Sequence, residues 1–70
     1  MFAEKIRIAC VKRGNISEAE LARRLGLSPQ NFNNKMARDD FKESDLAAIA
    51  AALDCQYVAY FEMNDTHEQI

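Results

Sequence analysis

The sequence predicts a mainly α-helical domain, a bundle of four to five helices followed by a short C-terminal β-strand or hairpin. Three observations carry that expectation. Apolar residues recur at helical spacing through most of the 70 residues. Ser17, Gly26, Ser28 and Pro29 place helix start and stop signals at very short intervals. After Gln56 the pattern changes to an aromatic and β-branched run.

A first helix is expected from Phe2 to Arg13, with Ile6, Ala9, Cys10 and Phe2 facing inward and a basic last turn, Lys12 and Arg13, before Gly14. Ile16 then stands where a hydrophobic staple residue would pack on Leu21. Ser17 and Glu20 form a capping box in which the hydroxyl accepts from the Glu20 N–H and the carboxylate reaches back to the Ser17 N–H. Leu21, Ala22 and Leu25 share one side of this second helix, about two turns long, and Gly26 closes it in the left-handed conformation.

Only Leu27 separates Gly26 from Ser28, the N-cap of a third helix with Pro29 at its first position, where a missing N–H costs nothing. This helix runs over about 29–37 with Phe32 and Met36 inward. Two helices joined so tightly cannot lie antiparallel and must cross steeply, which is a helix-turn-helix; Ala22 is small enough to allow the approach. A polar loop, 37–41, carries Phe41 as a plug for the core. A fourth helix begins at Lys42 or Glu43 and ends at Leu53, with Leu46, Ile49, Ala50 and Leu53 inward and Glu43, Ser44 and Asp45 in its first turn.

From Tyr57 to Phe61 the composition favours a strand, and Asn64-Asp65-Thr66 is turn chemistry. That strand could pair with residues 66–70 as a hairpin, or with its copy in a second chain to give a four-stranded sheet; alternatively the helix extends through Tyr60. The division expected is a helix-turn-helix domain over 1–55 and a dimerisation element over 56–70.

A single core is the most that 70 residues can build, and a chain of this size is expected to oligomerise. No apolar run approaches the roughly 18 residues that span a bilayer, and no basic n-region with an apolar h-region opens the chain, so the cytoplasm is the expected location. Cys10 and Cys55 are expected to be core thiols in a reducing compartment. The net charge of −2 conceals an asymmetry: all nine Lys and Arg lie at or before Lys42, against five acidic residues there, whereas six acidic residues and no Lys or Arg follow. A basic N-terminal half suits a surface facing DNA. Other chemistries lack parts, since His67 stands alone and there is no HExxH, CxxC or glycine-rich phosphate loop. No enzyme, metal site, cofactor or small-molecule effector is expected.

The order Ser17-x-x-Glu20-Leu21-Ala22-x-x-Leu25-Gly26-Leu27-Ser28, then Phe32 and Met36, then Leu46-x-x-Ile49-Ala50-x-x-Leu53, resembles the XRE family of helix-turn-helix regulators with the phage lambda and 434 repressor-like fold. The resemblance covers about Lys5 to Leu53, and the tail is similar to that of small bacterial and mobile-element members ending in a strand or hairpin. Where the family often closes the second motif helix with Glu-x-Gly, this chain has Met36-Ala37-Arg38. The resemblance implies a regulator that binds double-stranded DNA, with helix 29–37 in the major groove.

On such a helix the N-terminal residues meet base edges. Gln30 and Asn34 are the expected direct readers, because Asn and Gln pair bidentately with adenine, and Ser28 and Asn31 are the further base contacts. Asn33, Lys35, Arg38 and Lys42 are expected on phosphates, as is Ser17 through the helix N-terminus it caps. Arg23 and Arg24 are expected to be solvated or salt-bridged. A homodimer would present two such helices to successive major grooves. The alternative is a protein-interaction module, an antirepressor or partner-sequestering regulator that keeps the fold without specific DNA binding.

Overall fold

The boundaries of the two central helices coincide with residues whose chemistry starts or stops a helix. The computed structural model describes residues 1–70. Its helices are α1 (Phe2–Lys12), α2 (Glu18–Arg24), α3 (Pro29–Arg38) and α4 (Glu43–Ala52). Ser17 and Ser28 have extended backbones, and their hydroxyls accept from the Glu20 N–H at 3.0 Å and the Asn31 N–H at 3.1 Å. Between them Gly26 takes φ +73°, its N–H donates to the Arg23 carbonyl at 3.1 Å, and the Leu27 N–H donates to the Ala22 carbonyl at 2.9 Å. This is the paired bonding of a Schellman closure, and it turns the chain within two residues. Asp54 does the same after α4 with φ +54°, and the Cys55 N–H donates to the Ala50 carbonyl at 2.7 Å.

The second half of the expected capping box does not form. The Glu20 carboxylate turns to Arg23 and Arg24 instead, because charge-assisted bonds to guanidinium are stronger than one to a backbone N–H.

The core is apolar throughout. Ala3, Ile6 and Cys10 enter from α1, Leu21 and Ala22 from α2, Phe32 and Met36 from α3, and Leu46 and Ile49 from α4, with Leu53 just beyond it. Leu21 and Ala22 are 0% exposed, which lets α2 lie directly against α3. Ile16, Leu25, Leu27 and Phe41 pack on this cluster half-buried. Phe2 sits at the rim and not inside, 38% exposed. Cys10 is buried, and burial, followed by the nearby Glu18 charge, pushes its thiol pKa up. Cys55 departs from the expected core position: after the left-handed Asp54 it is exposed, its Sγ 3.3 Å from the Leu53 carbonyl.

The helical reading of residues 57–60 is overturned by the stop at Asp54. No strand forms over Tyr57–Phe61 either. Tyr57 packs half-buried on the helical core, and backbone pairing begins only at Phe61. There Phe61 and Ile70 exchange N–H to carbonyl bonds of 2.9 and 2.7 Å, and the Met63 N–H reaches the Glu68 carbonyl at 2.8 Å around one antiparallel bridge, Glu62 with Gln69. The tail lies outside the core, and the radius of gyration, 13.8 Å, exceeds the roughly 11 Å of a compact chain of this length.

Phe32 is the largest fully buried side chain, ahead of Leu21. Phe32→Ala should cost about 3–5 kcal/mol, comparable with the whole stability of so small a core, whereas Ile49→Val should cost about 0.5–1.5 kcal/mol. Urea denaturation followed by circular dichroism measures both; a Phe32→Ala variant within about 1 kcal/mol of the parent would contradict this packing.

Candidate nucleic-acid interface

The face of α3 away from the core follows from the 100° step between residues. Phe32 and Met36, 1% and 3% exposed, define the inward side. Gln30 and Asn34 stand opposite them, one turn apart on the outermost ridge, with Asn31 and Asn33 on its two flanks. All four are exposed, and none of their side chains is used in a hydrogen bond within the chain. The exposed Ala37 extends the ridge by a further turn. It was not expected there because alanine carries no hydrogen-bonding group, and only its register with Gln30 and Asn34 marks it out.

Ser28 is exposed at the start of this face, its hydroxyl engaged in the α3 cap. Arg38 ends the helix, its Nε 3.4 Å from the Asn34 carbonyl and its side chain otherwise open to solvent. Lys42 is exposed across the short loop. Lys35 differs: it lies toward α4, where its Nζ donates to Asp45 Oδ2 at 3.1 Å. The same oxygen accepts from the Lys42 N–H at 3.0 Å, so one carboxylate starts α4 and ties it to α3. The Lys42 N–H and then Lys35 lower the Asp45 pKa. Ser17 lies apart from this group, at the start of α2: its hydroxyl is occupied by the α2 cap, and Glu18 and Glu20 put negative charge in that first turn.

The remaining cations sort themselves by partner. Arg7 pairs with Glu18 at 2.9 Å, while Arg23 and Arg24 share Glu20. Arg24 also donates to the Ala52 carbonyl at 3.1 Å, and Arg13 to the Asp54 carbonyl at 2.9 Å, each joining an early helix to the end of α4. Arg38 and Lys42 have no carboxylate partner and flank the C-terminal end of the α3 ridge.

Nothing in the chain groups three His, Cys, Asp or Glu side chains around a point where a metal ion could sit. A small apolar cavity of about 160 Å³ lies between α3 and α4, lined by Leu27, Phe32, Phe41 and Ile49 and bordered by the Lys35–Asp45 pair, on the inner side of α3. No helix is long and apolar enough to cross a membrane.

A family model described as Cro/C1-type HTH DNA-binding domain matches residues 5–58, spanning all of α2, α3 and α4. No curated protein and no solved structure matches the chain.

The two guanidinium groups hold the Glu20 carboxyl at about 2, against an ordinary 4.5. A carboxylate whose pKa is lower in the folded chain stabilises it above the unfolded value, and that contribution is lost as pH falls through the folded one. Thermal midpoints should therefore drop between pH 4.5 and about 2, with a shallower drop in Glu20→Gln. Parallel curves for the two proteins would show that these surface pairs carry no pH-dependent stability.

Proposed function

The chain belongs to the Cro/C1-type HTH DNA-binding domain family, and on that premise we propose that it is a cytoplasmic, sequence-specific transcriptional regulator that binds double-stranded DNA as a homodimer. The observation that carries this reading is the outer ridge of α3, where four exposed amide side chains are unspent within the protein. Asn is a mediocre helix former, so helix propensity does not account for three of them in a row of five residues.

In the proposed complex α3 enters the major groove by its N-terminal half. Gln30 and Asn34 read adenine N6 and N7, while Ser28 and Asn31 reach neighbouring base edges. Ala37 brings the far end of the ridge close to the groove floor, where a thymine methyl is its natural neighbour. Asn33, Arg38 and Lys42 contact phosphates. Lys35 would do so while still paired with Asp45, adding less charge than a free lysine. At Ser17 a phosphate would meet backbone N–H groups, against the repulsion of the adjacent carboxylates.

The tail supports the dimer. Residues 56–60 make no backbone hydrogen bond, Val58, Tyr60 and Phe61 are exposed, and an isolated hairpin is marginal in water. Antiparallel pairing of this segment with its copy about a two-fold axis would satisfy those groups and set two α3 helices about 34 Å apart on a pseudo-palindromic site. The same exposed, acidic tail favours the second reading, a module that sequesters a protein partner.

Selection from random duplex DNA at low salt should enrich one motif, and replacing Gln30, Asn34 and Arg38 together with Ala should abolish the enrichment. Lys42→Ala should weaken binding evenly across sequences and reduce the salt slope by about one. Folded protein that enriches no motif would sink the DNA reading and leave the protein partner. Deleting 56–70 should give a helical monomer with weaker binding; sedimentation of the full chain as a monomer at high micromolar concentration would rule out the dimer.

A further inference from the structure

The residue that ends α3 is also the residue that begins α1. Asp39 takes the left-handed conformation, φ +51° and ψ +40°, directly after Arg38. Glycine is the ordinary occupant of such a position, because a Cβ is penalised there. Asn15 and Asp54 are left-handed after α1 and α4 as well, but the Asp39 side chain does what theirs do not. Its Oδ1 accepts from the Phe2 N–H at 3.1 Å and from the Ala3 N–H at 3.0 Å, across 37 and 36 residues of sequence. Those donors have no local partner, since Met1, at the N-cap position, offers no side-chain bond to α1. A carboxylate there also meets the positive end of the helix dipole.

We propose that Asp39 is a positioning residue for DNA binding, one that fixes the C-terminal end of α3, and with it Arg38, against α1. The proposal rests on the DNA-binding reading above. At its other end α3 begins at its own Ser28 cap and is joined to α2 by the Gly26–Leu27 turn bonds. The polar links of α1 elsewhere run to Glu18 and Asp54, so the two bonds to Asp39 are the ones that reach the recognition helix. Without them the last turn of α3 would fray from Arg38 onward. The Arg38 backbone, which sets where its exposed side chain leaves the helix, would then be ordered only on binding, at an entropic cost.

Asp39→Gly tests this, because it removes the side chain and the left-handed strain together and should still fold. Asp39→Asn keeps an acceptor and tolerates the same backbone conformation. With the duplex enriched by selection as the probe, Asp39→Gly should bind about three- to thirtyfold more weakly, the range for a residue coupled to a site it does not touch, and Asp39→Asn should recover most of the loss. Phe2 and Ala3 amides should exchange faster with deuterium in the Gly variant. Arg38→Ala should then cost much less in the Asp39→Gly background than in the parent, and the salt slope of Asp39→Gly should fall by about one. Parent protein that binds no duplex selectively removes the DNA-binding reading and this proposal with it. Parent protein that binds, beside a Gly variant that binds equally well or shows additive loss with Arg38→Ala, overturns the positioning role alone.

Discussion

The hydrogen bond from the Leu27 N–H to the Ala22 carbonyl closes α2 one residue before the cap of α3, and the placement of the recognition helix depends on that closure. A left-handed Gly26 is what the bond requires, and a fully buried Ala22 is what allows α3 to come close once the chain has turned. With the turn fixed, Phe32 and Met36 have only one side to bury against, which sets the rotation of α3 about its own axis. The outward direction of Gln30 and Asn34 is then a consequence of core packing and needs no interaction of its own. A ridge oriented by buried apolar residues is rigid before any ligand arrives, which keeps the ordering cost of recognition low.

Charge is distributed with the same division of labour. Arg7, Arg23 and Arg24 lie on or beside α2 and are neutralised by Glu18 and Glu20; the Arg7–Glu18 pair joins α1 to α2, while the two Glu20 pairs stay within α2. Such exposed pairs contribute little stability each, but they offset the positive charge of three arginines; Lys5, Lys12 and Arg13, on or just after α1, keep theirs without a carboxylate partner. What remains unpaired beside α3 is Arg38 and Lys42. An overall acidic chain thereby presents a locally basic edge, and its acidic tail would repel a phosphate backbone approached in any other orientation.

Much of this was legible in the sequence because the signals are local. Ser17, Gly26, Ser28 and Pro29 act within four residues of themselves, and each helix boundary they imply lies within a residue or so of the observed one. The sides of α3 and α4 followed from Phe32, Met36, Leu46 and Ile49 by periodicity. Other features were hidden for physical reasons. Glu20 has a choice between the Ser17 N–H and two arginines, and a spacing rule names the first without weighing the second. Asp39 bonds to residues more than thirty positions away, beyond any window; only the missing glycine after α3 hinted that its loop was built differently. In the tail, aromatic and β-branched composition indicated a strand, but a strand exists only by virtue of a neighbour, and Tyr57 is instead committed to the helical core.

The 56–60 segment has a consequence for how the molecule behaves in bulk. Unpaired backbone beside exposed Val58 and Tyr60 is a template on which further copies can add without limit, as in fibril growth. Beside them the turn carries Glu62, Asp65 and Glu68 with no nearby lysine or arginine in sequence. Like charges stacked at strand spacing repel, so these three carboxylates oppose such stacks. The acidity of the tail is thus a colloidal safeguard, and its strength is set by pH and ionic strength.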